Sequence, residues 1–222
     1  TLTVEDVSAR LEDKFDSNYT ATYWPWIQVN DAENNKLVYL PPTRDVVRNI
    51  AFTDNVAFPW FAPAGVNRGD VSAIKARKQL TLAERDVLYE SRINPIATFA
   101  TEGVKIWGQK TLQIDESALD RINIRRLLLQ ARKLISAVSI RLLFEQNDDV
   151  VRNQFLSLVN PILDNIRSER GLQDFRVEVS DDPEDLDRNE LNGTIFIKPT
   201  RSLEFINIQF TITPSGADFE DI

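Results

Sequence analysis

Residues 117–146 read SALDRINIRRLLLQARKLISAVSIRLLFEQ, and this stretch decides the architecture. Apolar side chains recur at Leu119, Ile122, Leu127, Leu134, Val138 and Leu142, the spacing of an amphipathic helix. The same stretch carries Arg121, Arg125, Arg126, Arg132, Lys133 and Arg141, with no acid from 121 to 144. Steps of four and seven bring Arg121, Arg125 and Arg132 near one face. The ordinary reading of such a strip is a solvated face. The functional reading is a basic surface that docks an acidic partner.

Working outward, Asn147-Asp148-Asp149 breaks this helix and opens a second one through Val151, Phe155, Leu158, Ile162 and Ile166. Acids at its start suit the helix dipole, Pro161 predicts a kink, and Gly171 is expected at C′. Strands are expected at Phe175–Val179, Thr194–Lys198 and Leu203–Thr213, the last with regular alternation. Between the first two, Asp174 to Glu190 holds eight acids against Arg176 and Arg188. An EF-hand register started at Asp185 would need glycine where Glu190 stands, so a solvated acidic loop is the better reading.

The first half is less regular. Leu2, Val4, Val7, Leu11 and Phe15 predict a helix over 2–16. Residues 20–29 predict a strand that Pro25 confines to an edge or a bulge. Asp31–Asn35 is a turn, and Lys36–Leu40 completes a hairpin. Thr43 is expected to cap a helix from about Arg44. Residues 54–70 read as an ordered loop with packed aromatics. Thr81 and Glu84 form a capping box for a helix over 81–92, which Asn94-Pro95 should end. Strands over 96–101 and 104–112 would then turn at Glu102-Gly103. The sum is α+β, with mixed or antiparallel sheets packed against helices and two subdomains, 1–102 and 103–222.

Composition narrows the chemistry. The 222 residues include no Cys and no His, and the net charge is −8. Thiol chemistry, Cys-based zinc sites and His-based triads are excluded for this chain. Neither a Walker loop nor a G-x-G-x-x-G is present. The acidic total argues against nucleic-acid binding, and no apolar run approaches a membrane span. An enzyme would have to work with carboxylates, Lys, Tyr or Ser alone, for instance Asp181 and Asp185 in a hydrolase. No cofactor or metal is expected. There is no Met, the first residue is Thr and no signal peptide is visible, so a piece of a longer protein or a processed one is expected.

Several strings occur in a telling order: Tyr23-Trp24-Pro25-Trp26, Leu40-Pro41-Pro42, Pro59-Trp60-Phe61-Ala62-Pro63-Ala64-Gly65, Ile93-Asn94-Pro95-Ile96, Ile106-Trp107-Gly108-Gln109-Lys110-Thr111, Arg121-Ile122-Asn123-Ile124-Arg125-Arg126, Phe144-Glu145-Gln146-Asn147-Asp148, and Ile197-Lys198-Pro199-Thr200 through Glu204-Phe205-Ile206. Together they resemble the C-terminal portion of the contractile phage tail sheath protein, over about residues 20–220. The resemblance implies a structural subunit, not an enzyme, that polymerises helically as stacked rings around a tail tube. Contraction would drive the tube through the host envelope without ATP hydrolysis. Residues 1–102 would be a middle sheath subdomain and 103–222 the inner layer facing the tube.

The implied partners are further copies of the chain, the tail tube protein, and baseplate and tail terminator proteins, with no nucleic acid and no membrane insertion. The implied location is the virion tail, assembled in the host bacterial cytoplasm. Sheaths of R-type bacteriocins and type VI secretion systems are the alternative vehicles. Arg121, Arg125, Arg132 and Lys133 are the expected tube contacts. A terminal arm would add a strand to a neighbouring copy through Phe205, Ile206, Asn207, Ile208, Gln209, Phe210, Thr211, Ile212 and Thr213.

Overall fold

The computed structural model describes residues 2–11, 14–180, 182 and 188–205. The molecule is α+β, as expected, and is organised around three apolar clusters. Helix α1 (Val4–Leu11) is shorter than the expected 2–16 and buries Val4 and Val7 against α3 (Leu82–Glu90). Helix α3 carries the expected capping box. The Thr81 hydroxyl accepts from the Glu84 N–H at 3.3 Å, and the Glu84 carboxylate accepts from the Thr81 N–H at 2.9 Å.

The strand expected over 20–29 is two strands. A cis Trp24–Pro25 bond separates β1 (Thr22–Trp24) from β2 (Ile27–Asp31), and the two enter different sheets. Strand β2 pairs with β3 (Lys36–Leu40) in the expected antiparallel hairpin, from Ile27 opposite Leu40 to Asp31 opposite Lys36. On its other side β2 meets the short β4 (Lys75–Ala76). Helix α2 (Thr43–Val56) starts one residue early. Pro42 is its N-cap and Thr43 lies inside the first turn, with no side-chain cap.

Asn94-Pro95 does not follow a helix end as a breaker; it lies inside β5 (Ile93–Phe99). The proline is tolerated because its carbonyl still accepts, from the Trp107 N–H at 2.9 Å, so only a donor is lost. Strand β5 pairs in parallel with β1 and antiparallel with β6 (Gly103–Ile106), which stops well short of the expected 112. Gly103 turns this hairpin at φ +72°, so the expected subdomain boundary falls within one hairpin.

The long helix over 117–146 is also divided. A 3₁₀ turn (Ala118–Asp120) leads to extended Arg121, then α4 (Ile122–Ser139) and a second 3₁₀ turn (Ile140–Leu142). Helix α5 (Asp149–Ser168) is capped by the Asp148 carboxylate, which accepts from the Val150 and Val151 N–H groups at 3.0 and 3.1 Å.

The C-terminus of α5 differs from expectation in an instructive way. Arg170, not Gly171, is the left-handed C′ residue, at φ +66°. The Arg170 N–H donates to the Arg167 carbonyl and the Gly171 N–H to the Ile166 carbonyl, which is a Schellman motif. Glycine is needed one position later for space: a Cβ on Gly171 would lie 2.6 Å from Ile166 Cγ2 and 3.1 Å from Trp60 Cδ2. Trp60 thus packs among Leu127, Phe155, Val159, Leu163, Ile166 and Leu172, and its indole N–H donates to the Glu169 carbonyl at 3.0 Å. The expected packing of the 54–70 aromatics is borne out by this and by the Phe58–Trp60 stack. Strands β7 (Leu172–Val179) and β8 (Gly193–Pro199) form an antiparallel pair beside α5.

Candidate assembly site

Past β8 the chain crosses the start of α4 and is held there by three successive contacts. The Thr200 N–H donates to the Gly171 carbonyl at 3.1 Å. Asn123, buried on α4, donates from Nδ2 to Ser202 Oγ at 3.1 Å and to the Trp60 carbonyl at 3.3 Å. Glu204 then receives Arg121 Nε at 2.8 Å, Arg121 Nη2 at 3.0 Å and Gln109 Nε2 at 3.0 Å. Two parallel bonds from a planar guanidinium fix direction as well as place.

Around this pair sits a half-buried cluster. Arg121 Nη1 lies 2.9 Å from Asp120 Oδ2, and Lys110 Nζ stands 4.5 Å over the Tyr89 ring. Burial, then the charge of Glu204, pushes the Tyr89 phenol above its ordinary range. Burial, then neighbouring Arg121, pulls the Lys110 ammonium down. Arg121 itself is desolvated, yet its Glu204 hydrogen bonds hold its pKa above the usual value.

A second network supports the first from below. Asn94 is fully buried and donates from Nδ2 to the Thr22 and Lys110 carbonyls at 3.1 and 2.8 Å; its Oδ1 accepts from the Lys110 N–H at 2.6 Å. One side chain therefore joins β1, β5 and the 108–110 segment. Gly108 makes that approach feasible, because a Cβ there would lie 2.7 Å from Asn94 Oδ1.

The four expected tube-contact residues fall into two groups. Arg121 is engaged with Glu204 and Asp120, and the Arg125 guanidinium lies 3.6 Å over the Tyr19 ring. Arg132 and Lys133 are exposed on the following turns of α4. Arg126, adjacent on the helix, pairs with Asp54.

Of the expected strand-addition residues, Phe205 is exposed and outside any strand, while 206–213 lie outside the described residues. Asp181 and Asp185, the hydrolase pair, also lie outside them. Among the described residues no cluster of three acids is placed to hold a metal, and no helix is long and apolar enough to cross a membrane.

The β7–β8 sheet has two strands, and within the described residues both outer edges are unpaired. Strand β3 is also an edge and exposes Leu37, Tyr39 and Leu40. Trp60 is one of the 54–70 aromatics expected to pack, but no local pattern marks Asn94 or Glu204; the one signal for these two is that each lies in a string that carries the family resemblance.

Comparison with known proteins decides what this arrangement belongs to. Residues 115–213 match the phage tail sheath C-terminal domain family. That segment is a tail sheath domain. The tail sheath protein of Vibrio phage KVP40 is 38% identical over 211 residues, covering 93% of this chain and 30% of that protein. The tail sheath protein of Enterobacteria phage T4 is 34% identical over 196 residues, covering 86% of this chain and 30% of that protein. The chain therefore spans about a third of the length of the curated relatives it matches.

Among solved structures, the contracted PVC sheath complex of an extracellular contractile injection system superposes with a TM-score of 0.85 at 21% identity. It covers 100% of this chain and 62% of that one. The contracted helical sheath of the anti-feeding prophage gives 0.78 at 23% identity, over 89% of this chain and 57% of that one. The chain thus has the fold of contractile sheaths, and the resemblance read from sequence is borne out. The Asn94 network lies before the matched segment, whereas Arg121, Asn123 and Glu204 lie inside it.

Proposed function

We propose that this chain is the part of a contractile tail sheath subunit that forms the lattice around a tail tube. The carrying observation is the 38% identity to a phage tail sheath protein across 93% of the chain. In this reading the subunit polymerises helically, and contraction drives the tube through the host envelope. It is a structural component of the virion tail, assembled in the host cytoplasm, with tube, baseplate and terminator proteins as its other partners. It has no catalytic role.

The geometry supports a division of labour. The Arg121–Glu204 clasp fixes where a C-terminal arm leaves the body, and Phe205 to Thr213 then adds a strand to a neighbouring copy. Free edges of β7–β8 are suitable receivers, since strand addition needs main-chain donors and acceptors rather than special side chains. Arg132 and Lys133 are the exposed cations for an acidic tube surface, while Arg121 and Arg125 position the scaffold. Residues 1–102 act as the middle subdomain and 103–222 as the inner layer. The likeness to PVC and anti-feeding prophage sheaths favours one second reading, an injection-system or bacteriocin sheath with the same mechanics.

The test is assembly on purified tail tubes of the matching phage, imaged by negative-stain electron microscopy. Striated coats are expected, and they should be lost with Arg132→Glu combined with Lys133→Glu while circular dichroism stays unchanged. Bare tubes with the parent chain and with the longer subunit containing it would sink the reading.

A further inference from the structure

The turn between α4 and α5 exposes a hydrophobic knob. Phe144 is fully exposed and held at φ +70°, a left-handed conformation that an aromatic residue adopts at a cost. Ile140, Leu143 and Val150 near it in the chain are also exposed, Glu145 follows it directly, and Asp149 beyond it pairs with Arg152 at 3.4 Å. Asn147 ties this turn down by donating from Nδ2 to the Glu190 carbonyl at 3.0 Å. The knob is thus presented by an anchored turn.

Elsewhere on the molecule an open groove of about 580 Å³ runs between α4 and the starts of β1, β2 and α2. Trp26, Pro41, Pro42 and Leu129 form its apolar walls, and Trp26 and Leu129 are each 46% exposed. Arg125 and Arg126 line its floor, where Arg125 Nε and one terminal Arg126 nitrogen are buried without a hydrogen-bond partner among the described residues. Those two atoms are closed to solvent, but the Arg125 guanidinium has no acidic partner among the described residues, so a carboxylate entering the groove can pair with its remaining nitrogens.

We infer that the Phe144 knob of one copy seats in the Trp26–Leu129 groove of a second copy, with Glu145 facing Arg125. The chemistry is complementary: the groove is apolar and holds Arg125, which pairs with no acid among the described residues, and the knob is apolar and carries the exposed Glu145. The contact cannot close within one chain. Leu129 and the end of α4 at Ser139 are separated by about 15 Å of rigid helix, and Phe144 lies beyond that end. Knob and groove are different patches, so the contact is head-to-tail and propagates rather than closing into a dimer. This inference deepens the self-assembly reading above and rests on it.

The chain has no Cys, so single cysteines report cleanly. Phe144→Cys and Leu129→Cys chains, each checked for fold by circular dichroism, are mixed at high concentration and oxidised. The expected product is the mixed disulfide dimer, in about tenfold excess over either homodimer. Adding Glu145→Lys to the Phe144→Cys chain should remove most of it. Equal homodimer yields would reduce the patch to general stickiness, and absence of the mixed dimer would overturn the contact. Coated tubes without the mixed dimer sink this inference and leave the sheath reading standing; the mixed dimer without coated tubes does the reverse.

Discussion

Arg121 grips Glu204 through two parallel hydrogen bonds of 2.8 and 3.0 Å across 83 residues of sequence. Their side chains are only 25% and 17% exposed, so the pair is shielded from much of the screening that weakens surface ion pairs. The clasp ties the residue preceding α4 to the segment leaving β8. Any force on the 200–204 segment would therefore reach α4 directly.

Glu204→Gln keeps the shape and removes the charge. Arg121 retains Asp120 but loses its bidentate partner, at a cost of about 1–3 kcal/mol. Urea denaturation should show that loss. Trypsin should also cleave faster after Arg201, which is exposed in the segment the clasp holds. An unchanged cleavage rate would mean that Ser202 and Thr200 suffice to hold the segment.

The Asn94 network is the more expensive one to break. Asn94→Leu would leave the Lys110 N–H and the Thr22 carbonyl without this partner in a site closed to water, each worth about 1–3 kcal/mol. Gly108→Ala attacks the same junction sterically, because the new methyl would overlap Asn94 Oδ1. Both variants should lower the thermal midpoint, and the double variant should cost less than the sum of the singles, since they damage one contact. Additive losses would show that the two residues act separately.

Legibility in the sequence followed the range of the forces. The α3 capping box was readable because Thr81 and Glu84 are three residues apart and satisfy each other. The β2–β3 hairpin was readable for the same local reason. Asn94-Pro95 reads locally as a stop, because proline ends an element, whereas here Trp107, twelve residues on, supplies the partner that keeps it in a strand. The break at Arg121 was likewise invisible. Helical periodicity runs through it, and extended Arg121 owes its conformation to Glu204 and to the bridge with Lys110, closed by the Ile122-to-Gln109 and Thr111-to-Asp120 backbone bonds of 2.8 and 2.9 Å. The basic strip was legible as composition, but its division into engaged Arg121 and exposed Arg132 depends on residues 83 positions away or absent from the local window.

Trp60 links the first half of the chain to the α4–α5 cluster. Trp60→Ala removes a buried indole and its bond to Glu169, and should cost about 3–5 kcal/mol. Trp60→Phe keeps most of the volume and should cost clearly less. If the two variants were equal in denaturant midpoint, the Glu169 bond rather than packing would dominate.

Alkali provides a direct probe of the clasp and of the neighbouring core. Burial raises the pKa of Tyr23 above its ordinary value of 10.0, opposed by Arg126. Burial, then Glu204, raises Tyr89 from the same value. Both phenols are thus harder to ionise in the folded state than in the unfolded state. Below about pH 10 their contribution is fully present; above it the unfolded chain releases protons first, so stability is lost as pH rises toward the folded values. Tyrosinate absorbance from these two residues should therefore appear together with loss of ellipticity, not before it. The Tyr23→Phe, Tyr89→Phe double variant should unfold at a higher pH. If the parent showed the full tyrosinate signal while still folded, the packing around Glu204 and Arg126 would have to be more open than described.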